Sequence, residues 1–128
     1  MNDLERRRRK VAAARIARAL DGTDEADVAV DTDVRILQLV ESLPSLAEAM
    51  DIDGMLAKGW DPGALDAWAG SDPGVTAAAQ HAARFVLSVW NPTTTWSCGR
   101  FGVHAALSVW DLEHREAFLL WAARPWWP

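Results

Sequence analysis

The sequence predicts an all-α protein: a compact, bundle-like domain of five or six helices preceded by a basic helical arm. Three observations carry that expectation. Alanine supplies 23 of the 128 residues, a composition that favours helix while adding little core volume. Most segments place their apolar residues at helical spacing, bounded by Asp, Gly and Pro where helices start and stop. The bulk that alanine does not provide must come from eight tryptophans, in a chain with no tyrosine and three phenylalanines.

The elements follow in order along the chain. Residues 3–20 form a first helix, capped by Asn2 or Asp3 and stopped near Gly22, with a thin apolar stripe of Ala12, Ala13, Ile16, Ala19 and Leu20. Residues 23–33 are acidic and weakly patterned, and are expected to be a linker or a loop. A second helix, capped at Thr32 or Asp33, sets Ile36, Leu39, Val40 and Leu43 against Gln38, Glu41 and Ser42 on the other side, until Pro44 ends it. Ser45 and Glu48 have the spacing of a capping box and predict a short helix to Met50. Asp53-Gly54 signals a turn before another short helical piece ending at Gly59.

Asp-Pro-Gly then occurs twice, at 61–63 and 72–74, each an aspartate cap followed by proline at the first helical position. The first launches about two turns through Leu65 and Trp68. The second is expected to launch the clearest helix, 73–90, with Ala78, Ala82, Phe85, Val86 and Val89 on one side. Residues 91–100 carry threonines and a proline, which favour extended or turn structure. Helix resumes at Phe101 or Gly102 and runs to Trp110; Asp111 then caps a last helix, 112–123, before Pro125. That helix has no charge from Ala117 to Ala123, so its end should be buried or covered, and the same holds for the tail with Trp126 and Trp127.

Length and charge set bounds. A chain of 128 residues suits one ordinary domain. Its expected organisation is a basic helical arm and acidic linker over 1–33, then a Trp-rich helical domain over 34–128. With 24% charged and 50% apolar residues, wholesale disorder is excluded. One cysteine excludes an intramolecular disulfide. No apolar run approaches the roughly 18 residues of a membrane span, so no membrane partner is expected. The net charge of −5 hides a polarity: seven basic and two acidic residues lie in 1–20, against two and thirteen in 21–72. Arg15 and Arg18 interrupt the one segment that resembles a secretory signal, which makes the cytoplasm the expected location. Eleven arginines against two lysines point to a GC-rich coding sequence and a bacterial source.

No motif assigns a reaction, and no cofactor is expected. His81, Cys98, His104 and His114 have the residue types of a zinc site, but intervals of 17, 6 and 10 lack any metal-ligand spacing. Cys98 precedes Gly99, Arg100 and a helix start, where a thiol pKa would fall, and His104 or His114 could serve it as a base. The acidic residues between Asp21 and Asp33 do not fit a calcium loop.

The basic run Arg6, Arg7, Arg8, Arg9 and Lys10 could follow a phosphate backbone. Tryptophans 68, 90, 110 and 121 are expected in the core, and Trp60 sits at a turn. Trp96, Trp126 and Trp127 lie outside helices, near Arg100 and Arg124, with the chemistry of binding hot spots. The expected function is therefore a non-enzymatic interaction or accessory protein that meets another protein, or itself, through Trp96, Arg100, Trp126 and Trp127. A nucleic-acid-associated regulator using Arg6 to Lys10 is the alternative, and a Cys98-dependent enzyme a weaker one.

Overall fold

A computed structural model describes residues 28–128. The first helix expected from the sequence and the basic run lie outside the described residues. Within them the chain is all-helical, with seven helices and no strand: α1 Val28–Ser42, α2 Pro44–Ala49, α3 Ile52–Lys58, α4 Pro62–Ser71, α5 Ala77–Trp90, α6 Val103–Val109 and α7 Leu112–Ala123. The count exceeds five or six because the two short helices expected around 45–50 and before Gly59 both form as separate elements, started at Pro44 and capped by Asp51.

The central helix is α5. It packs against α1, α2, α4 and α6, and accordingly buries Ala79, Ala82, Ala83, Phe85, Val86, Leu87 and Val89, more than one face. Helix α1 contributes Val34, Ile36, Leu37, Leu39 and Val40 to the same core, and Leu43 joins them from the N-cap of α2. It touches α2, α3, α5 and α7, so even Glu41, expected to face outward, is buried. Phe85 is the hub of the aromatic packing, with Phe101, Trp110, Phe118 and Trp121 around it at centroid distances of 5.2, 6.2, 5.3 and 5.4 Å. Edge-to-face and tilted arrangements dominate, as the ring quadrupoles require.

Several helix starts differ from the sequence expectation, each for a local reason. Helix α1 is already formed at Val28, so Thr32 and Asp33 lie inside it rather than at its cap. Asp51 caps α3 by accepting from Gly54 N at 3.0 Å, which places Asp53-Gly54 in the first helical turn instead of a separate turn. Asp61 caps α4 as expected, accepting from Ala64 N at 3.0 Å. The second Asp-Pro-Gly does not start a helix. Asp72 accepts from Gly74 N at 2.8 Å and its carbonyl from Val75 N at 3.2 Å, closing a turn. Thr76 then caps α5 through Ala79 N. Asp111 caps α7 as expected.

The tryptophans also redistribute. Trp110 is buried, whereas Trp68, Trp90 and Trp121 are half-buried against the edge of the core. Trp60, at the turn before α4, is buried and meets Trp90 edge-on at 5.8 Å.

Candidate functional site

The sequence-derived site residues fall into two groups held by different elements. Trp96 and Arg100 lie on the loop between α5 and α6. Asn91 shapes its start, accepting from Thr93 N and Thr93 Oγ1 at 3.1 and 2.8 Å, while its carbonyl accepts from Trp96 Nε1 at 3.3 Å. Asp66 on α4 accepts from Ser97 N at 3.1 Å and Cys98 N at 2.8 Å. Arg84 on α5 donates through Nε to the Cys98 carbonyl at 2.7 Å. Gly99 completes the turn at φ +105°, and a Cβ there would meet the Arg84 guanidinium at 3.0 Å; both facts favour glycine. One carboxylate and one guanidinium thus strap the loop to the two helices beneath it. Trp96 is half-buried on the core, and Arg100 is exposed with no hydrogen bond or ion pair among the described residues.

The second group is the tail. Trp126 is half-buried beneath Arg35 of α1, whose guanidinium sits 4.4 Å from the ring centroid, a cation–π contact. The Trp126 carbonyl accepts from Trp121 Nε1 at 3.0 Å, and Trp127 meets Trp121 edge-on at 5.4 Å while staying exposed. No hydrogen bond or ring contact joins Trp96 and Arg100 to Trp126 and Trp127 among the described residues. They are two contact regions, not one.

The thiol differs from expectation. Cys98 is buried, and burial, reinforced by the neighbouring Asp66, pushes it up to about 11 despite the opposing charge of Arg84. A thiol above its ordinary value is a poor nucleophile near neutrality. Partial burial pushes the Asp66 carboxyl up, but the hydrogen bonds from Cys98 and Ser97 together outweigh it and hold it below its usual value. Burial, helped by Arg84, lowers His81, whose Nδ1 is buried without a hydrogen-bond partner. His104 is exposed on α6. No group of three or more His, Cys, Asp or Glu residues gathers as a metal site among the described residues.

One constellation was not anticipated. His114 is buried on α7 and stacks on Trp110 at 5.9 Å. Its Nδ1 is 2.7 Å from Asp111 Oδ1, and its Nε2 is 2.7 Å from Ser45 Oγ. Ser45 N also donates to Nε2 at 3.2 Å, which assigns the lone pair to Nε2 and the ring proton to Nδ1. The order aspartate–histidine–serine is that of a relay triad. Its setting is not. The N–H groups of Leu46 and Ala47, which follow the serine, are both bonded to the Leu43 carbonyl, so neither is free to hold an oxyanion. The arrangement is instead a helix cap supplied from another helix. Leu43 offers α2 no side-chain cap, and His114 supplies the acceptor instead, for a Ser45 N–H 69 residues away in sequence. Ser45 is therefore not the capping-box residue its spacing with Glu48 suggests.

The outer face of α7 carries the other unexpected feature. Leu112, Leu119 and Leu120 are 68%, 60% and 76% exposed, so the charge-free end expected to be covered is covered on one side, where Ala117, Phe118 and Trp121 meet the core, and open on the other among the described residues. Glu116, Leu119 and Leu120 line an open depression of about 360 Å³. No protein-family model, curated protein or solved structure matches the chain.

Proposed function

We propose that the protein is a non-enzymatic interaction or accessory protein whose contact surface is the outer face of α7, with Trp127 of the tail and the Trp96–Arg100 loop as flanking contacts. The observation that carries this reading is the exposure of three leucines on one face of a single helix. Scattered exposed leucines need no explanation, but Leu119 and Leu120 lie side by side with Glu116 around one open depression, an apolar pair with an acidic group that suits a docking contact. The partner is another protein or a second copy of the chain. Of the four residues first selected, Trp127 and Arg100 offer open side chains, whereas Trp96 and Trp126 are partly committed to packing.

The test is the double variant Leu119→Ser with Leu120→Ser. It should melt like the wild type, because both side chains are exposed, and should lose either its specific captured protein or its concentration-dependent self-association in sedimentation. An unchanged captured set together with unchanged sedimentation refutes the reading. The run Arg6 to Lys10 supports a second reading, a nucleic-acid-associated regulator. Binding to duplex DNA that weakens steeply with salt is its expected signature, and its absence sets that reading aside.

A further inference from the structure

We propose that the outer face of α7 takes an amphipathic helix of another protein, and that an arginine of that helix enters the depression at Glu116 with its stem on Leu119 and Leu120. The inference rests on that face being a docking surface, and adds the chemistry of what docks there. His114, Ala117, Phe118 and Trp121 face the body, buried or half-buried. Leu112, Glu116, Leu119, Leu120 and Ala123 are exposed, and at about 100° per residue they fall within an arc of about 100° on the opposite side.

The spacing of this face selects a helix as its occupant. Leu112, Glu116, Leu119 and Ala123 follow one another at intervals of four, three and four residues, the alternation that forms the seam between two packed helices. Leu120 lies beside that seam. The depression of about 360 Å³ is lined by Glu116, Leu119 and Leu120 alone, all on one helix, so it has a single wall. Small molecules bind where they are enclosed on most sides. A one-walled depression instead suits a side chain whose own backbone supplies the rest of the cover.

Charge selects the side chain. Among the described residues Glu116 makes no hydrogen bond or ion pair, and the adjacent Arg115 donates to the Leu107 carbonyl at 3.0 Å instead. A group entering here must bring hydrocarbon to two leucines and donors to a carboxylate. Arginine does both: its stem packs on apolar surface, and its planar fork pairs with a carboxylate through two hydrogen bonds. A second copy of the chain fits poorly. Laid seam to seam in antiparallel fashion, Glu116 falls beside Leu119 of the other copy, and the two carboxylates stand about 5 Å apart along the axis. In the parallel arrangement they oppose each other directly. Either pairing also brings together two chains of net charge −5.

A pair of synthetic peptides tests the proposal. The first is a stapled helix of about 15 residues, since a free helix of that length is marginal in water. It carries leucine at the seam positions, one central arginine on the seam and glutamine elsewhere; its twin has glutamate in place of the arginine. Salt is held at about 0.15 M, where exposed charges more than about 8 Å apart are screened. Fluorescence anisotropy on the full chain should show the arginine peptide binding saturably, about tenfold or more tighter than its twin. The Leu119→Ser, Leu120→Ser double variant should lose that binding. Glu116→Arg, at an exposed position, should invert the order of the two peptides. Absence of saturable binding overturns the proposal, as does equal affinity for the two peptides. An order that survives Glu116→Arg also overturns it, because the attraction is then to the acidic chain as a whole. A wild-type dimer that the double variant breaks assigns the face to a second copy instead. Failure of the interaction reading looks different: the double variant then keeps its captured set and its sedimentation, whatever the peptides do.

Discussion

Replacing His114 by Ala should cost more than any other single truncation of a polar side chain in the described residues. The ring is 4% exposed and makes three hydrogen bonds, at 2.7, 2.7 and 3.2 Å. Its removal strands the Ser45 N–H in the first turn of α2, whose N-cap Leu43 has no acceptor of its own. An unpaired donor of this kind costs about 1–3 kcal/mol, and loss of a helix cap about 1 kcal/mol. Stacking against Trp110 is lost as well. The expected total is about 3 kcal/mol, or about 12 °C in Tm for a chain of this size. Ser45→Ala removes one hydroxyl bond and should cost about 1 kcal/mol. Urea unfolding followed by far-UV circular dichroism measures each. In a double-mutant cycle the two positions should couple by about 1 kcal/mol. A His114→Ala variant within about 0.5 kcal/mol of the wild type, or a coupling of zero, would refute the capping role.

Three further outcomes follow from the loop and the tail. Asp66→Asn should loosen the 91–102 loop and speed exchange of the Ser97 and Cys98 amides, both of which now donate to the carboxylate. Because the Asp66 carboxyl is held below 3.8, its contribution to stability is present above that pH and lost as pH falls further; the variant should show a shallower acid limb, and an unaltered limb would contradict the strap. Cys98, raised from 9.0 to about 11, contributes stability below pH ~9 that is lost as the pH climbs toward ~11. Native protein should accordingly react with a thiol reagent at pH 8 far more slowly than urea-unfolded protein, and equal rates would disprove the burial argument. Trp126→Ala should cost about 1–2 kcal/mol through the lost packing and Arg35 contact. Trp127→Ala, at an exposed ring, should stay within about 0.5 kcal/mol of the wild type in the same unfolding assay.

The helices themselves were legible wherever a cap and a stop are local. Asp61 with Pro62, and Asp111 before Leu112, each announce a helix with its own acceptor a few residues away. The second Asp-Pro-Gly misleads because the same aspartate can close a turn on Gly74, and Thr76 is the better-placed cap. Burial was harder to read. On α5 the period holds, with Ala82, Phe85, Val86 and Val89 buried and Gln80, His81, Arg84 and Ser88 left part-exposed, but the packing of four other helices widens the buried arc to take in Ala79, Ala83 and Leu87. Trp60 is buried at a turn, where no helical period marks it, and its ring meets Trp90 of α5. The site was least legible of all. His114 and Ser45 have no sequence relationship, and the histidine's role depends on a helix start whose own cap residue is a leucine. Cys98 illustrates the reverse case. Its neighbours Gly99 and Arg100 suggest an activated thiol, but the groups that govern it are Asp66 and Arg84, from two other helices.

The four rings around Phe85 have a consequence for the continuity of the chain. Phe101, Trp110, Phe118 and Trp121 all follow the exposed stretch 91–95, while Phe85 and the rest of the α1–α5 core precede it. The His114–Ser45 bond crosses the same divide. A single backbone cut at 91–95 therefore leaves two pieces that share one aromatic socket and one interlocked helix end. The nicked protein should remain a single particle, and the two pieces form a complementing pair, each holding what the other needs to bury.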